Sequence, residues 1–520
     1  MKKRITASLL AAAVAAGCFA GCGKEENTSS GGNAKFNKTG YPIVDEKITL
    51  NVMGATNSAL PEDWNDLVLF KELEKKTNIH LDFKVIDASN YAQQKNLAFA
   101  SGELPDFFYK GQISTQDELT YGSAGVLTDV SKYFDYMPNL KKAFEDIPEL
   151  RPSITMSDGK IVSLPEVNDV PRDRAIKLWI NKKWLDKLGL EEPQTADEWY
   201  EVLKAFKTQD PNGNGKNDEI PLSFGNMDSL YHMMSAFGLL YHIYAEDGKV
   251  IYSPADPRHK EALKFFAKLY KEGILDNQCF TQTDEKLNAK AAGDTAVVGC
   301  FTGMSGGINP NFAEDYTILT PLKTADGKRV WKGRDRFGKG AFAMTNKNKY
   351  PEATLRLIDY LYGEEGGILA RLGVENETYR WLDDGTWEPI IPKDFDTKNK
   401  SFENTIGTVA GAYSPMRQPT DVLLKAHRTS SYSLDDQMEK LTPYLVIKYP
   451  SVYFEDAEQK KVNTINTDLT SAVERFVAQS IIGEVDIDKE WDGYIKGLEK
   501  IGLKELIDIY QKKYDEYLKK

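Results

Sequence analysis

At 520 residues the chain is too long for a single hydrophobic core and implies two or more compact lobes. An apolar fraction of 41%, with 11% aromatic side chains, is enough to fill them. A net charge of -12, with no long basic run after the first residues, argues against nucleic acid as the partner.

Lys2, Lys3 and Arg4 precede an apolar run from Ile5 to Ala20 that is interrupted only by Thr6, Ser8 and small residues. This is the layout of an export signal, and the run is too short to span a membrane comfortably. It ends in Phe19-Ala20-Gly21-Cys22, which resembles the lipobox of bacterial lipoproteins, in which the cysteine is diacylated and becomes the new N-terminus. Ala16-Gly17-Cys18 is a weaker candidate of the same kind. The polar stretch from Gly23 to Gly32 cannot bury a core and reads as a flexible tether. Residues 1–21 are therefore expected to be a signal and 22–44 a tether that holds the body at the outer face of the cell membrane. Beyond Cys22 only Cys279 and Cys300 remain, expected as two buried thiols rather than a disulfide. With five scattered histidines and no HExxH, a zinc hydrolase has no visible ligands.

Ile48, Leu50 and Val52 alternate as a strand does; Trp64, Leu67, Val68 and Leu73 follow helical spacing; Ile79, Leu81, Phe83 and Val85 alternate again. A helical stretch from Asn90 to Ser101 then leads into Leu104 to Tyr109. Strand, helix, strand, helix, strand at this spacing predicts parallel pairing with right-handed crossovers. After a polar connection from Asn168 to Arg174 comes an apolar segment from Ala175 to Asn181. Thr195-Ala196-Asp197-Glu198 is a capping box for a helix that carries Trp199, Val202, Leu203 and Phe206. Asp256-Pro257 opens another, burying Leu263, Phe266 and Leu269. Thr295 to Phe301 and Tyr316 to Leu322 read as strands of a second α/β lobe, and Gly340 to Thr345 as a further strand. A helix follows from Tyr350 to Tyr362, then an aperiodic stretch from Trp381 to Gln418 rich in Gly, Pro, Trp and Tyr. Three helical patterns close the chain, at 469–480, 487–498 and 503–514.

Four stretches in this order resemble one family. They are the lipobox at Cys22, Ser101-Gly102-Glu103-Leu104-Pro105-Asp106, Leu178-Trp179-Ile180-Asn181-Lys182-Lys183-Trp184-Leu185, and the segment from Tyr350-Pro351-Glu352-Ala353 to Leu361. The chain is similar to the extracellular solute-binding lipoproteins of carbohydrate ABC importers, of the family 1 type. The resemblance implies a two-lobed α/β fold of the periplasmic-binding-protein kind (type II), with an oligosaccharide cleft between lobes that close on the ligand. By that analogy the first lobe takes residues 45–174 and 340–379, and the second takes 175–339 and 380–520. The expected partners are an oligosaccharide, ABC permease subunits and the membrane through the lipid anchor. The chain is expected to act as a monomer and not as an enzyme.

Asp210-Pro211-Asn212-Gly213-Asn214-Gly215-Lys216-Asn217-Asp218-Glu219 matches the opening of an EF-hand loop, with oxygen side chains at relative positions one, three, five and nine and glycine at six. Position twelve is Leu222, so Asp218 or Glu219 must close the shell. Calcium is the expected cofactor, held by Asp210, Asn212, Asn214, the Lys216 carbonyl, Asp218 and Glu219 as a structural staple. The resemblance supports it, since similar loops hold calcium in alginate-binding relatives; the alternative is a solvated Asn-Gly turn. Gly303-Met304-Ser305-Gly306-Gly307 fits the hydrolase GxSxG pattern, but Ile308-Asn309-Pro310 follows where a nucleophile elbow needs a helix.

Sugar recognition calls for flat aromatic faces and planar polar groups. The candidates at strand ends and crossings are Asn57, Trp64, Asp106, Tyr109, Trp179, Trp331, Arg336, Trp381 and Tyr413, with Phe301 and Met304 placed at the cleft by the resemblance. Arg172, Arg174, Arg334 and Arg336 flank the two presumed crossings, where convergence would suit a uronate; ordinary exposed loop charge is the other reading. The rival functions are an exported polysaccharide hydrolase, which needs two carboxylates flanking a glycosidic bond, and a tethered sensor that presents its ligand to a signalling partner.

Overall fold

The computed structural model describes residues 34–56, 63–240, 242–304, 306–395, 413–427, 437–446 and 449–519. The expected export signal, Cys22 and most of the expected tether lie outside these residues. The strand Ile48–Thr56 sends alternate side chains to two cores, as a period of two dictates. Ile48, Leu50 and Val52 join Phe107, Tyr109, Phe342 and Met344, while Met53 and Ala55 join Phe108 and Ala343 on the other face. It pairs in parallel with Ile79–Asp87 and with Phe107–Tyr109. The helices Val68–Thr77 and Ala88–Ser101 supply the crossovers, and both end in a left-handed residue, Asn78 and Gly102. The returning strand Phe337–Met344 inserts antiparallel between Phe107–Tyr109 and Leu164–Val167, which completes a five-stranded sheet.

The second sheet has four strands in the order Tyr316–Ile318, Lys177–Asn181, Val298–Gly303, Ile220–Ser223. The helix Ala196–Thr208 starts where the capping box places it. Thr195 Oγ1 accepts the Glu198 N–H at 3.2 Å, while the Glu198 carboxylate accepts from Gln194 N at 2.7 Å, one residue before the cap. Trp199, Val202, Leu203 and Phe206 are buried on its inner face, as are Leu263, Phe266 and Leu269 of the helix Pro257–Lys271. The C-terminal helices Asp456–Ile482, Ile487–Ile501 and Leu503–Tyr517 close this lobe, with Val462, Ile465, Leu469, Val473, Val477 and Ile481 as the apolar stripe of the longest. That helix begins thirteen residues before the pattern at Leu469 shows it, because its first turns carry charge on most positions. Cys279 and Cys300 are free thiols, both buried.

Two boundaries differ from the expected ones. The chain is already part of the body well before residue 45: Ile43 and Val44 are buried in the first core, and Asn37 N bonds to Ile43 O at 2.9 Å. Residues 380–427 were expected in the second lobe, yet those described from this stretch pack on the first. Trp387, Val422 and Leu423 surround Val170 and Leu372, Met416 enters the first core, and Val167 exchanges backbone bonds with Met416 and Gln418. The second lobe resumes at Met438.

Candidate functional site

Among the described residues two crossings join the lobes, and they run side by side: Asn168 N donates to Arg336 O and Arg334 N to Arg174 O, each at 2.7 Å. The chain is back in the second lobe by Met438, and beyond it Tyr453 still packs into the first lobe while the next residue, Phe454, packs into the second. A cleft of about 1380 Å³ opens beside them, with walls from both lobes. The first lobe contributes Gln112 to Thr115, Glu166 and Asn168; the second contributes Asp228, His232 and Met304, with Tyr449, Asn466 and Tyr510 from the C-terminal segment. The crossing Lys332 to Lys339 forms its floor together with Arg371, Tyr413 and Gln418.

Glu166, on the strand Leu164–Val167, is buried; its Oε2 accepts Tyr413 N at 3.0 Å and its Oε1 accepts Gln418 Nε2 at 3.3 Å. Burial raises its pKa above the ordinary carboxylate value, against those two bonds and the charge of Lys110. Lys110 is itself pushed down to about 8 by burial, with Glu166 pulling the other way. A second buried carboxylate, Glu118, accepts from Tyr453 Oη at 2.8 Å and from Ser163 Oγ. Burial raises its pKa and lowers that of Lys339, whose ammonium lies 3.9 Å from the centre of the Tyr453 ring. Asp228 holds Lys332 at 3.2 Å, and its carbonyl oxygen is 2.7 Å from His232 Nδ1. The cleft thus offers aromatic faces, carboxylate acceptors and cationic donors together.

Of the residues expected at the ligand, Met304 and Tyr413 line this cleft, 37% and 41% exposed. Tyr413 adopts a left-handed φ of 69°, which turns the chain back beside Glu166. Trp331 and Arg336 belong to the same crossing but do not line the cleft. The Trp331 ring is buried with Nε1 donating to Ile176 O at 2.7 Å, and Arg336 is engaged by Asp169. Trp64, Tyr109, Trp179 and Phe301 are core residues instead, each at most 3% exposed. Trp64 packs with Phe70, Phe83 and Tyr109, and Trp179 donates from Nε1 to Gly303 O at 3.1 Å. Tyr109, Trp179 and Phe301 lie on strands covered on both faces, so their side chains have no solvent side, and Trp64, ahead of the helix Val68–Thr77, packs its ring over Gly54. Asp106 is structural, accepting Asn51 N at 2.7 Å where two strands meet. Trp381 lies on the hairpin Tyr379–Trp381 with Trp387–Pro389, in the small cluster outside the cleft. Asn57 and Ser305 lie outside the described residues. The strand Val298–Gly303 ends before Ser305, and the next helical segment among the described residues is the short Pro310–Asp315, not the helix that a nucleophile elbow needs directly after its serine. Sequence reasoning missed Glu166, Asp228, Lys332 and Tyr510; the signal available for Glu166 and Lys332 was proximity to the crossings.

The acidic loop is wound about Asp210, whose φ is 46°. Its Oδ1 accepts Gly213 N and its Oδ2 accepts Gly215 N, at 3.0 and 3.1 Å, while Asn212 and Asn214 both donate to Asp218. Glu219 is 3% exposed with Oε1 unpartnered, and burial together with Asp218 and Asp210 raises its pKa. Among the described residues no three His, Cys, Asp or Glu side chains gather as metal ligands. In this loop, part of the oxygen set is amide and backbone carbonyl. A buried carboxylate oxygen with no donor, beside two further carboxylates, fits a hard cation.

A family model of bacterial extracellular solute-binding proteins matches residues 58–368. The chain is 32% identical to the fructooligosaccharide ABC transporter substrate-binding protein FusA of Streptococcus pneumoniae, over 98% of each chain. It is 25% identical to the polygalacturonan/rhamnogalacturonan-binding protein YtcQ of Bacillus subtilis, over 96% of each. The solved structure of an EF-hand mutant of FusA from S. pneumoniae in complex with fructo-nystose superposes with a TM-score of 0.75 at 28% identity, covering 91% of this chain and 99% of that one. The two-lobed α/β fold expected from the sequence is the fold of that structure.

Proposed function

The chain belongs to the bacterial extracellular solute-binding protein family, and from that premise we propose that it captures an oligosaccharide between its lobes and delivers it to the permease of an ABC importer. The observation that carries this reading is the cleft of about 1380 Å³ walled by both lobes, with tyrosine faces set among hydrogen-bonding side chains. A ligand that touches both walls favours the closed arrangement by its difference in affinity for the two states, and the paired crossings are where such a motion would be absorbed. The protein performs no chemistry on the sugar. It acts as a monomer, held at the outer face of the membrane by a lipid on Cys22. The names of FusA and YtcQ, which bind fructooligosaccharide and polygalacturonan, support a carbohydrate ligand.

Calcium belongs to this proposal as a staple between the helix Ala196–Thr208 and the strand Ile220–Ser223. Asp210, Asn212, Asn214, the Lys216 carbonyl, Asp218 and Glu219 would hold it, and the ion would neutralise three carboxylates confined in one loop.

The test is the melting temperature of the full-length chain against neutral and acidic oligosaccharides, with calcium and with chelator. A ligand at a hundred times its Kd adds about 2.7 kcal/mol, a rise of a few degrees for a chain of this size. Stabilisation by sugars without turnover is the expected result. Release of reducing ends would overturn the reading in favour of a hydrolase. Chelation should lower the melt, and Asp210→Ala should abolish that response; a melt indifferent to calcium would remove the ion from the proposal.

A further inference from the structure

We infer that the cleft is built for an uncharged sugar chain, and that Glu166 is the residue that discriminates against an acidic one. This rests on the oligosaccharide reading and names the ligand class of the same site. Glu166, 7% exposed, is one of the residues that line the cleft. Both of its oxygens accept N–H groups, from Tyr413 and from Gln418, which is the bonding pattern of the ionised form. Its hydrogen-bond donors are amides, and a cation whose charge acts on it, Lys110, is itself buried. The two lysines of the cleft floor are already engaged: Lys332 by Asp228 at 3.2 Å, and Lys339 by the Tyr453 ring, with Glu118 beside it. A sugar carboxylate would therefore meet a poorly solvated carboxylate whose neighbouring ammonium groups are engaged, leaving the guanidinium groups of Arg334 and Arg371 to offset a repulsion that is costly at such a separation.

A hydroxyl fits where a carboxylate does not, because it donates and accepts. Glu166 keeps lone pairs free to receive hydroxyl protons. On the same floor Arg371 has its Nε buried with no hydrogen-bond partner, a donor ready for a hydroxyl oxygen. An acceptor with lone pairs to spare and a donor left without a partner, in one cleft, select a ligand that carries both functions at every unit of its length.

The experiment is a calorimetric titration of the full-length chain with neutral fructan and glucan oligomers and with oligogalacturonates of matched length. The expected result is that at least one neutral oligomer binds about tenfold or more tightly than any oligogalacturonate. Glu166→Gln should narrow that ratio by about tenfold. Added salt, which screens repulsion but not hydroxyl bonding, should narrow it in the unmodified protein, so the proposal stands or falls even where the variant is poorly folded. Tighter binding of oligogalacturonate would overturn it and make Arg371 a carboxylate clamp. A ratio unmoved by both the substitution and salt would overturn the role of Glu166. Binding of neither class would overturn the oligosaccharide reading itself.

Discussion

Replacing Gly340 by alanine should disable the strand that carries the cleft floor. Gly340 has a φ of 72° at the irregularity where the register of Phe337–Met344 against Leu164–Val167 shifts between Gly338 and Phe342. Two effects add. An L side chain in the left-handed region costs about 1–2 kcal/mol. A Cβ here would also stand 2.8 Å from Ile113 N and nearer still to the Ile113 carbonyl oxygen, both backbone atoms that cannot rotate aside. Ile113 N donates to Gly340 O at 3.1 Å, so relieving the overlap breaks the bond that pins the 112–115 loop to the cleft. Overpacking of this kind costs about 1–3 kcal/mol, and the combined loss of about 3 kcal/mol corresponds to a fall of about 6–12 °C in a lobe of 150–250 residues. Gly327 is the control: its φ is 82°, but nothing stands within 4 Å of its Cβ position, so Gly327→Ala carries the backbone cost alone. Calorimetric melts of the two variants decide the matter. If Gly340→Ala melts no lower than Gly327→Ala, the steric reasoning is wrong.

The burial of Trp64 and the exposure of Tyr413 should separate stability from binding. Trp64→Ala removes a fully buried ring and should cost about 3–5 kcal/mol by denaturant titration. Tyr413→Ala should change stability by less than about 0.5 kcal/mol and weaken ligand binding about tenfold; a stable Trp64→Ala protein with lost binding would reverse the two assignments. Asp359 supplies a pH test. Its buried carboxyl, pushed up to about 6 by burial, accepts Leu140 N at 2.8 Å at the start of the helix Pro138–Asp146. Because the folded pKa lies above the unfolded one, the folded state binds the proton more tightly. Stability from this group is then present below about pH 4 and is lost as pH rises to about 6, by roughly 2–3 kcal/mol in total. Asp359→Asn should remove that slope, so its stability relative to the unmodified protein should rise between those pH values; a constant difference would refute the assignment.

How much of this was legible in the sequence depended on whether the cause was local. The strands Ile48–Thr56 and Ile79–Asp87 and the helix Ala196–Thr208 were readable because alternation and a cap are properties of neighbouring residues. The class of a residue does not reveal its burial. Trp64 and Trp179 look like sugar platforms in composition, yet Trp179 turns inward beneath Gly306 from a strand covered on both faces, and Trp64 turns inward over Gly54 from the segment before a helix. Tyr413 was legible for the opposite reason, since it lies in an aperiodic segment where side chains have no second layer to enter, whereas Met304, just past a strand end, was placed at the cleft by the family resemblance.

The cleft floor shows where the pattern stops. Because Phe337–Met344 inserts between Phe107–Tyr109 and Leu164–Val167, the chain leaving the second lobe must pass over the gap before it reaches its place in the first sheet. Residues 331–339 are committed to the cleft by that strand order and not by their own chemistry. The apolar pattern places the start of the strand at Gly340. The three residues it omits, Phe337, Gly338 and Lys339, are half-buried rather than alternating, and all three line the cleft. A strand that is half in the core and half in the site loses its period where it becomes functional. The expected boundary therefore fell at the point where the core ends and the cleft begins.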